Sequence, residues 1–343
     1  MENITFLVCV PDDLYWATEI EVQLNNMRKW DYSKYFHVLV FNNSGDKWKW
    51  YWNKLQERYS ETKFFFYNDK NIQNLLAIYQ PIIRPNMLKK HFERFPELSD
   101  KVIFYLDSDV IFSKELDIEK FFDDDICYLS STPYIGAKYF YSKDKDVYPF
   151  RLGQFKQRDV LQECCHIVGI DKQVAIDNED HTGGCQYLLK DIDSQFWEDV
   201  EKHCIELRLH CLNVNAEFFP SEDKGYQSWA IGDMCSVLWN LWKRGKITRC
   251  PEELDFSWAP NKMIEFDKKA IYHNAGVTGK EMEIEGKKEI MFNKSDIRFR
   301  TSSMTFFDIE QWGNISSEYC SYQYVQEILS VEDPICRTRR LIY

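Results

Sequence analysis

The chain opens on a continuous apolar run over residues 4–10, the pattern of a strand covered on both faces. Residues 14–30 then carry apolar positions at the helical period. A second apolar run, 36–41, is closed by the turn signal Asn42-Asn43-Ser44-Gly45. Residues 48–59 predict a helix and 63–67 a third strand. Helical stretches over 72–79 and 81–95 precede a fourth strand at 101–106. Strands alternating with helices predict an α/β fold with a mostly parallel, doubly wound sheet. No internal repeat and no linker rich in Pro, Gly or Ser interrupts the pattern, so one continuous α/β domain with a helical and loop-rich C-terminal portion is expected.

The fourth strand runs into Asp107-Ser108-Asp109, and the apolar triplet Val110-Ile111-Phe112 follows at once. In open α/β sheets ligands bind beyond the carboxyl ends of the strands, which is where these acids fall. Two carboxylates one residue apart can turn oxygens toward one hard divalent cation, and burying them without a partner is costly. Acidic turns after strands are also common, so the triplet alone does not decide the matter.

Its surroundings carry more. The stretch from Ile83-Arg84-Pro85 to Asp109, with Asp100-Lys101-Val102 and Tyr105-Leu106-Asp107-Ser108-Asp109-Val110, resembles the core of GT-A glycosyltransferases, especially the glycogenin and galactosyltransferase-like family 8. The resemblance implies a GT-A type, Rossmann-like fold in which Asp107 and Asp109 hold Mn²⁺ or Mg²⁺ on the diphosphate of a nucleotide-sugar, Asp109 as the bidentate ligand. It places Ser108 toward the ribose or sugar and Arg84 beside the donor, although a helix-surface role explains Arg84 equally well.

Two further segments follow in the order that the family has them. Tyr272-His273-Asn274-Ala275-Gly276-Val277-Thr278-Gly279-Lys280 looks like the family's H-x-x-G-x-x-K, with the lysine one place late. The resemblance makes His273 the third metal ligand and sets Lys280 and the glycines near phosphate. Gly183-Gly184, before an apolar run, is similar to the small-residue turn that faces the donor sugar; an ordinary β-turn explains the glycines as well. Upstream, Asp177-Asn178-Glu179-Asp180 offers groups for sugar hydroxyls or a solvated loop. Between Ser221 and Met234, acids accompany a Trp- and Tyr-rich helix. Asp233 first, and Asp223 second, are candidates to touch the acceptor hydroxyl; Asp223 also suits a helix cap. The expected division is 1–280 as catalytic domain (1–110 for the nucleotide-sugar, 111–280 for the acceptor) and 281–343 as a C-terminal extension.

Composition narrows the partners. With 44% hydrophobic and 16% aromatic residues the chain has the apolar surface of a folded protein, and its 43 basic against 55 acidic side chains argue against a uniformly positive nucleic-acid binder. The acidic excess lies wholly in residues 1–237, with 27 basic and 39 acidic, whereas 238–343 has 16 of each. Basic clusters there, such as Lys243-Arg244-Gly245-Lys246, read as solvated surface, with a polyanion-docking face as the alternative. Eleven cysteines without a CxxC pair read as free thiols. The His203-Cys204 and His210-Cys211 doublets, with Cys164-Cys165-His166, read as packing rather than a zinc site. No basic leader and no membrane-length apolar run occurs, so a soluble, cytoplasmic protein is expected.

The expected function is metal-dependent transfer of a sugar from a nucleotide-diphosphate sugar, UDP-linked by preference, to a hydroxyl of a glycan or protein. Family likeness implies retention of configuration; Asp233 acting as a base would give inversion. Three alternatives compete: transfer to hydroxymethylated DNA bases, which needs base flipping; a metal-dependent nucleotidyltransferase, whose Gly-rich loop is missing from Val10-Pro11-Asp12-Asp13-Leu14; and a non-enzymatic carbohydrate-binding protein.

Overall fold

The computed structural model describes residues 3–147, 158–219, 224–276, 278, 281–296, 306–308 and 314–338. Its strands in chain order are β1 (Ile4–Pro11), β2 (Phe36–Phe41), β3 (Lys63–Tyr67), β4 (Val102–Tyr105), β5 (Val110–Phe112), β6 (Cys127–Ser131), β7 (Gly183–Leu189), β8 (Thr248–Arg249), β9 (Phe256–Trp258) and β10 (Ile271–His273). Seven of them, in the order β3-β2-β1-β4-β7-β6-β8, make a mostly parallel central sheet flanked by helices, the α/β class that the periodicity predicts. The chain divides into two compact units, interleaved in sequence: Met1–Asn68, Tyr105–Lys120 and Glu253–Tyr343 form the first, Asp69–Phe104 and Phe121–Glu252 the second.

In the first unit β1 pairs in parallel with β2, Val8 opposite Val38, and β2 with β3, Leu39 opposite Phe65. Residues from Ile4 to Val10 are buried throughout, which is why that run shows no alternation. Helix α1 (Leu14–Lys29) starts at Asp13, whose side chain accepts from the Tyr15 amide at 2.9 Å. This helix is buried well beyond an apolar stripe: Thr18, Glu19, Glu21, Gln23 and Asn26 are all inside. Its polar residues have assigned partners. Asn26 exchanges hydrogen bonds with the backbone of Phe112 (2.8 and 3.1 Å), and Gln23 Nε2 donates to the carbonyls of Asp107 (2.8 Å) and Val110 (3.1 Å). Helix α2 (Lys49–Arg58) returns the chain from β2 to β3.

A second, three-stranded sheet, β5-β10-β9, belongs to the same unit. Here β10 runs antiparallel to β5, with His273 opposite Val110 and Tyr272 opposite Ile111. The C-terminal part of the chain completes this core: the Ser321–Leu329 helix stacks Tyr324 on Tyr272 at 6.0 Å, and the Ile335 amide donates to buried Glu21 at 3.0 Å.

In the second unit β6 is antiparallel to β7 and parallel to β8. The 25-residue Ser194–Phe218 helix, capped by Asp193, packs against the Ile83–Arg94 helix, with Asn86 Nδ2 donating to Glu201 at 2.7 Å. The predicted Trp-rich helix is broken by a π turn over Ile231–Cys235. Gly232 permits that turn to close on its neighbour, since a Cβ there would lie 2.9 Å from the Cys204 carbonyl. The eleven cysteines are free thiols. His203 bonds Asn240 at 3.1 Å and His210 meets Glu163 at 3.0 Å, so these imidazoles have ordinary polar partners. Among the described residues no helix is long and apolar enough to cross a membrane.

Candidate functional site

The first unit gathers one dense cluster of charge where β4 gives way to β5. Gln23 grips the Asp107 and Val110 carbonyls from α1, which fixes the Asp107-Ser108-Asp109 turn between them. The antiparallel register of β10 on β5 then carries the chain back past the turn. The ladder continues one step beyond the strand, with the Asn274 amide donating to the Asp109 carbonyl at 3.0 Å. Backbone pairing therefore sets His273 beside acids 164 and 166 positions earlier in the chain. Its Nε2 lies 3.2 Å from Asp109 Oδ1 and 3.5 Å from Asp107 Oδ2. The Asp109 and His273 side chains are 3% and 4% exposed; Asp107, at 17%, is the more accessible. The Phe256 ring flanks the imidazole at 5.4 Å.

Two groups that the sequence reading passed over complete the cluster. Lys294 Nζ sits 2.5 Å from Asp109 Oδ2, on the opposite oxygen from His273. Glu19, fully buried on α1, accepts from Ser108 Oγ at 2.7 Å and from the Tyr15 hydroxyl. Burial alone would raise the Asp109 carboxyl, but the Lys294 ammonium and then His273 hold it well below the usual carboxylate range. Glu19 moves the other way, raised first by burial and then by the charge of Asp109. Burial would lower Lys294, yet Asp109 and Glu19 leave it raised. Beside the imidazole, Asn274 is buried, and its Nδ2 has no hydrogen-bond partner among the described residues.

Asp107 and His273 present ligand atoms close enough together to share a divalent cation, and Asp109 Oδ1 meets the same imidazole nitrogen. Two carboxylates and an imidazole suit Mn²⁺ and related first-row ions, and an octahedral shell with bonds of about 2.1 Å sets neighbouring ligands about 3 Å apart. The separations of 3.2 and 3.5 Å between His273 and the two acids are close to that spacing. Among the described residues, the cluster brings the Glu19, Asp107 and Asp109 carboxyls to the Lys294 ammonium and the His273 imidazole.

The remaining predicted residues fall elsewhere. Ser108, expected at the donor, is buried and turned inward on Glu19 because its hydroxyl is the donor that this carboxyl requires. In the second unit Arg84 and Asp233 are brought together: Arg84 Nη1 donates to Asp233 Oδ2 at 2.7 Å, both side chains about one-fifth exposed. Asp233 occupies the π turn, which aims it at the Ile83–Arg94 helix. Gly183 and Gly184 lie inside β7 rather than in a turn before it. A Cβ on Gly183 would come within 2.5 Å of the Ser130 carbonyl, and one on Gly184 within 2.7 Å of Met234 Sδ. Close packing accounts for both glycines, while the left-handed backbone falls on the next residue, Cys185, with φ of +70°. Asp223 and Lys280 lie outside the described residues.

An acid buried among apolar positions of α1 was the available signal for Glu19. For Lys294 no local signal exists; only the fold brings it to Asp109.

No family model matches the chain, and no curated protein sequence matches it. Among solved structures, the bifunctional glycosyltransferase WbbM in its apo form aligns with 98% of this chain at 10% identity and a TM-score of 0.46; the chain spans about half of that protein, 51%. The galactosyltransferase LgtC, in complex with donor and acceptor sugar analogues, covers 91% of this chain over 100% of its own, at 11% identity and a TM-score of 0.37. Mouse xyloside xylosyltransferase 1, also apo, covers 80% over 99% of its own length, at 9% identity and a TM-score of 0.36.

Proposed function

We propose that the protein is a metal-dependent glycosyltransferase that takes a sugar from a nucleotide-diphosphate sugar, UDP-linked by preference, and delivers it to an acceptor hydroxyl of a glycan or protein. The observation that carries this reading is the meeting of Asp107, Asp109 and His273, which are 164 or more residues apart across the acid–imidazole gap, at the carboxyl end of a sheet strand.

In this reading Asp107, Asp109 and His273 hold Mn²⁺ or Mg²⁺. Bound there, the cation supplies Lewis-acid stabilisation of the charge that develops on the departing diphosphate. Gln23 keeps the acid turn in place by its two carbonyl contacts, so the ligands need little rearrangement. Glu19 and Tyr15 support the turn from beneath through Ser108. The glycosidic bond from the anomeric carbon to the diphosphate oxygen breaks, a bond to the acceptor oxygen forms, and the acceptor's proton passes to the departing phosphate. Asp233, engaged by Arg84, is not needed as a base in this route, which retains configuration.

The test is a donor screen with nucleotide release as readout: the protein with each UDP-, GDP- and TDP-sugar, with and without Mn²⁺. Metal-dependent release from one donor is expected, reduced by at least about a hundredfold in Asp109→Asn. Absence of binding or turnover with every donor, with Asp107→Ala indistinguishable from the unaltered protein, would overturn the reading. Pyrophosphate release instead of nucleotide release would point to nucleotidyl transfer.

A further inference from the structure

We propose that Lys294 is a built-in counter-cation of the acid cluster, holding Asp109 while no metal is bound and competing with the divalent cation for it. Cation binding is then an exchange in which the ammonium leaves Asp109 Oδ2. The proposal rests on the reading of Asp107, Asp109 and His273 as cation ligands, and is independent of whether the reaction is sugar transfer.

Three observations carry it. First, the contact is direct: Lys294 Nζ is 2.5 Å from an oxygen of the most buried acid of the proposed ligand set. Its ammonium offsets part of the charge that Glu19, Asp107 and Asp109 bring into a largely buried space, where an unpaired carboxylate is costly. Second, the backbone on the N-terminal side of Lys294 is anchored while its side chain is partly exposed. Phe292 is fully buried, its carbonyl accepts from Thr278 Oγ1 at 2.6 Å, and its amide accepts no slack, donating to Ser321 Oγ at 3.2 Å. The lysine side chain keeps one-quarter of its surface exposed, so its four-carbon stem has somewhere to go. Third, the chain makes room for that stem. A Cβ on Gly276 would stand 3.2 Å from Lys294 Cε, tighter than ordinary contact. The segment that supplies the imidazole thus also runs against the lysine stem, three residues after His273.

The consequence follows from charge. An ammonium and a divalent cation repel each other, and a cation held by both oxygens of Asp109, its expected bidentate ligand, must displace the lysine from Oδ2. The lysine lowers the apparent affinity for metal in return for a stable unloaded site. Neutralising it removes the cation's competitor for Asp109 and makes the site a stronger trap for a cation.

The experiment is a titration of the full chain with Mn²⁺ alone, free Mn²⁺ being followed by its electron paramagnetic resonance signal. Lys294→Met and Lys294→Gln are expected to bind Mn²⁺ about tenfold more tightly than the unaltered protein, while Lys294→Arg, which keeps the charge, binds no tighter. Both neutral variants should also melt lower without metal and regain more on adding Mn²⁺ than the unaltered protein does. If Lys294→Met is poorly folded without metal, Lys294→Gln and the size of the Mn²⁺-induced shift still decide. Equal or weaker Mn²⁺ binding in the neutral variants would overturn the exchange while leaving the ligand assignment intact. Undiminished Mn²⁺ binding in Asp109→Asn would overturn the ligand assignment itself, and the exchange with it.

Discussion

The cluster around Asp109 and the pair formed by Arg84 and Asp233 both place predicted site residues in partly or fully buried ion pairs, yet they are built for different ends. Around Asp109, the described residues gather three acids, Glu19, Asp107 and Asp109, about the Lys294 ammonium and the His273 imidazole. At Asp233, one carboxylate oxygen meets one guanidinium nitrogen at 2.7 Å. The first arrangement has charge to offer to a further cation. In the second, the acid is engaged by the group expected to serve the donor. A carboxylate on the right helix is therefore not yet a base; its partners decide what it can do.

The sharpest way to break this contrast is to neutralise one acid of each kind. Asp109→Asn should cost at least about a hundredfold in nucleotide release and abolish Mn²⁺ binding. Asp233→Asn should cost less than about tenfold, since its amide oxygen can still accept from Arg84. A larger loss from Asp233→Asn than from Asp109→Asn, measured as kcat/KM in the donor assay, would reverse the comparison.

Glu21 gives a control within the first unit: a buried acid whose donors are Arg58, Tyr51 and the Ile335 amide. Burial pushes it up to about 7 against the pull of those three donors. Because the folded value lies above the unfolded value of about 4.5, the stability linked to its proton is fully present below pH ~4.5. It is lost as the pH rises through about 7, a change on the order of 3 kcal/mol. Denaturant unfolding measured across that window should show this decline, and Glu21→Gln should flatten it. An unchanged slope in Glu21→Gln would show that some other group governs it.

The glycines sharpen the same question in the second unit. Gly183→Ala would press on the Ser130 backbone and should destabilise by about 2–3 kcal/mol; Gly184→Ala meets a thioether that can yield, and should cost nearer 1 kcal/mol. Unfolding midpoints check both. If instead Gly184→Ala leaves stability unchanged and raises KM for the donor, the strand faces substrate rather than its neighbours.

The smallest effect is expected for the ion pair. With both side chains about one-fifth exposed, a double-mutant cycle of Arg84→Met and Asp233→Ala should give a stability coupling of about 1 kcal/mol. A coupling near zero would mean that the pair is not what holds Asp233.

The sequence made the regular part of the fold legible because burial leaves a periodic trace. The strands at 36–41 and 63–67 coincide with β2 and β3; the helix at 14–30 is one residue longer than α1 at its C-terminal end, and that at 48–59 one residue longer than α2 at each end. Where periodicity is overridden, legibility fails. The stretch 72–79 is helical only over Gln73–Leu76, and the helix through Asp233 carries a π turn that no apolar spacing announces. Of the cluster, the acid pair was visible because it stands at the end of an apolar run. His273 was visible only through its order among motifs. Glu19 left a trace as an acid inside an apolar helix, and Lys294 left none.

What the sequence by itself determined is the set of local choices: which runs are buried on both faces, where α1 is capped by Asp13, and that two carboxylates follow β4. Those follow from side-chain hydrophobicity and short-range hydrogen bonding, which neighbours in the chain can satisfy. The tertiary structure alone decided which charges meet. The register of β10 on β5 put His273 against Asp109, the space left by Gly276 admitted Lys294, and the π turn gave Asp233 to Arg84. Electrostatic partnership depends on distances of a few ångströms between residues far apart in sequence, and only the completed packing of strands and helices sets those distances.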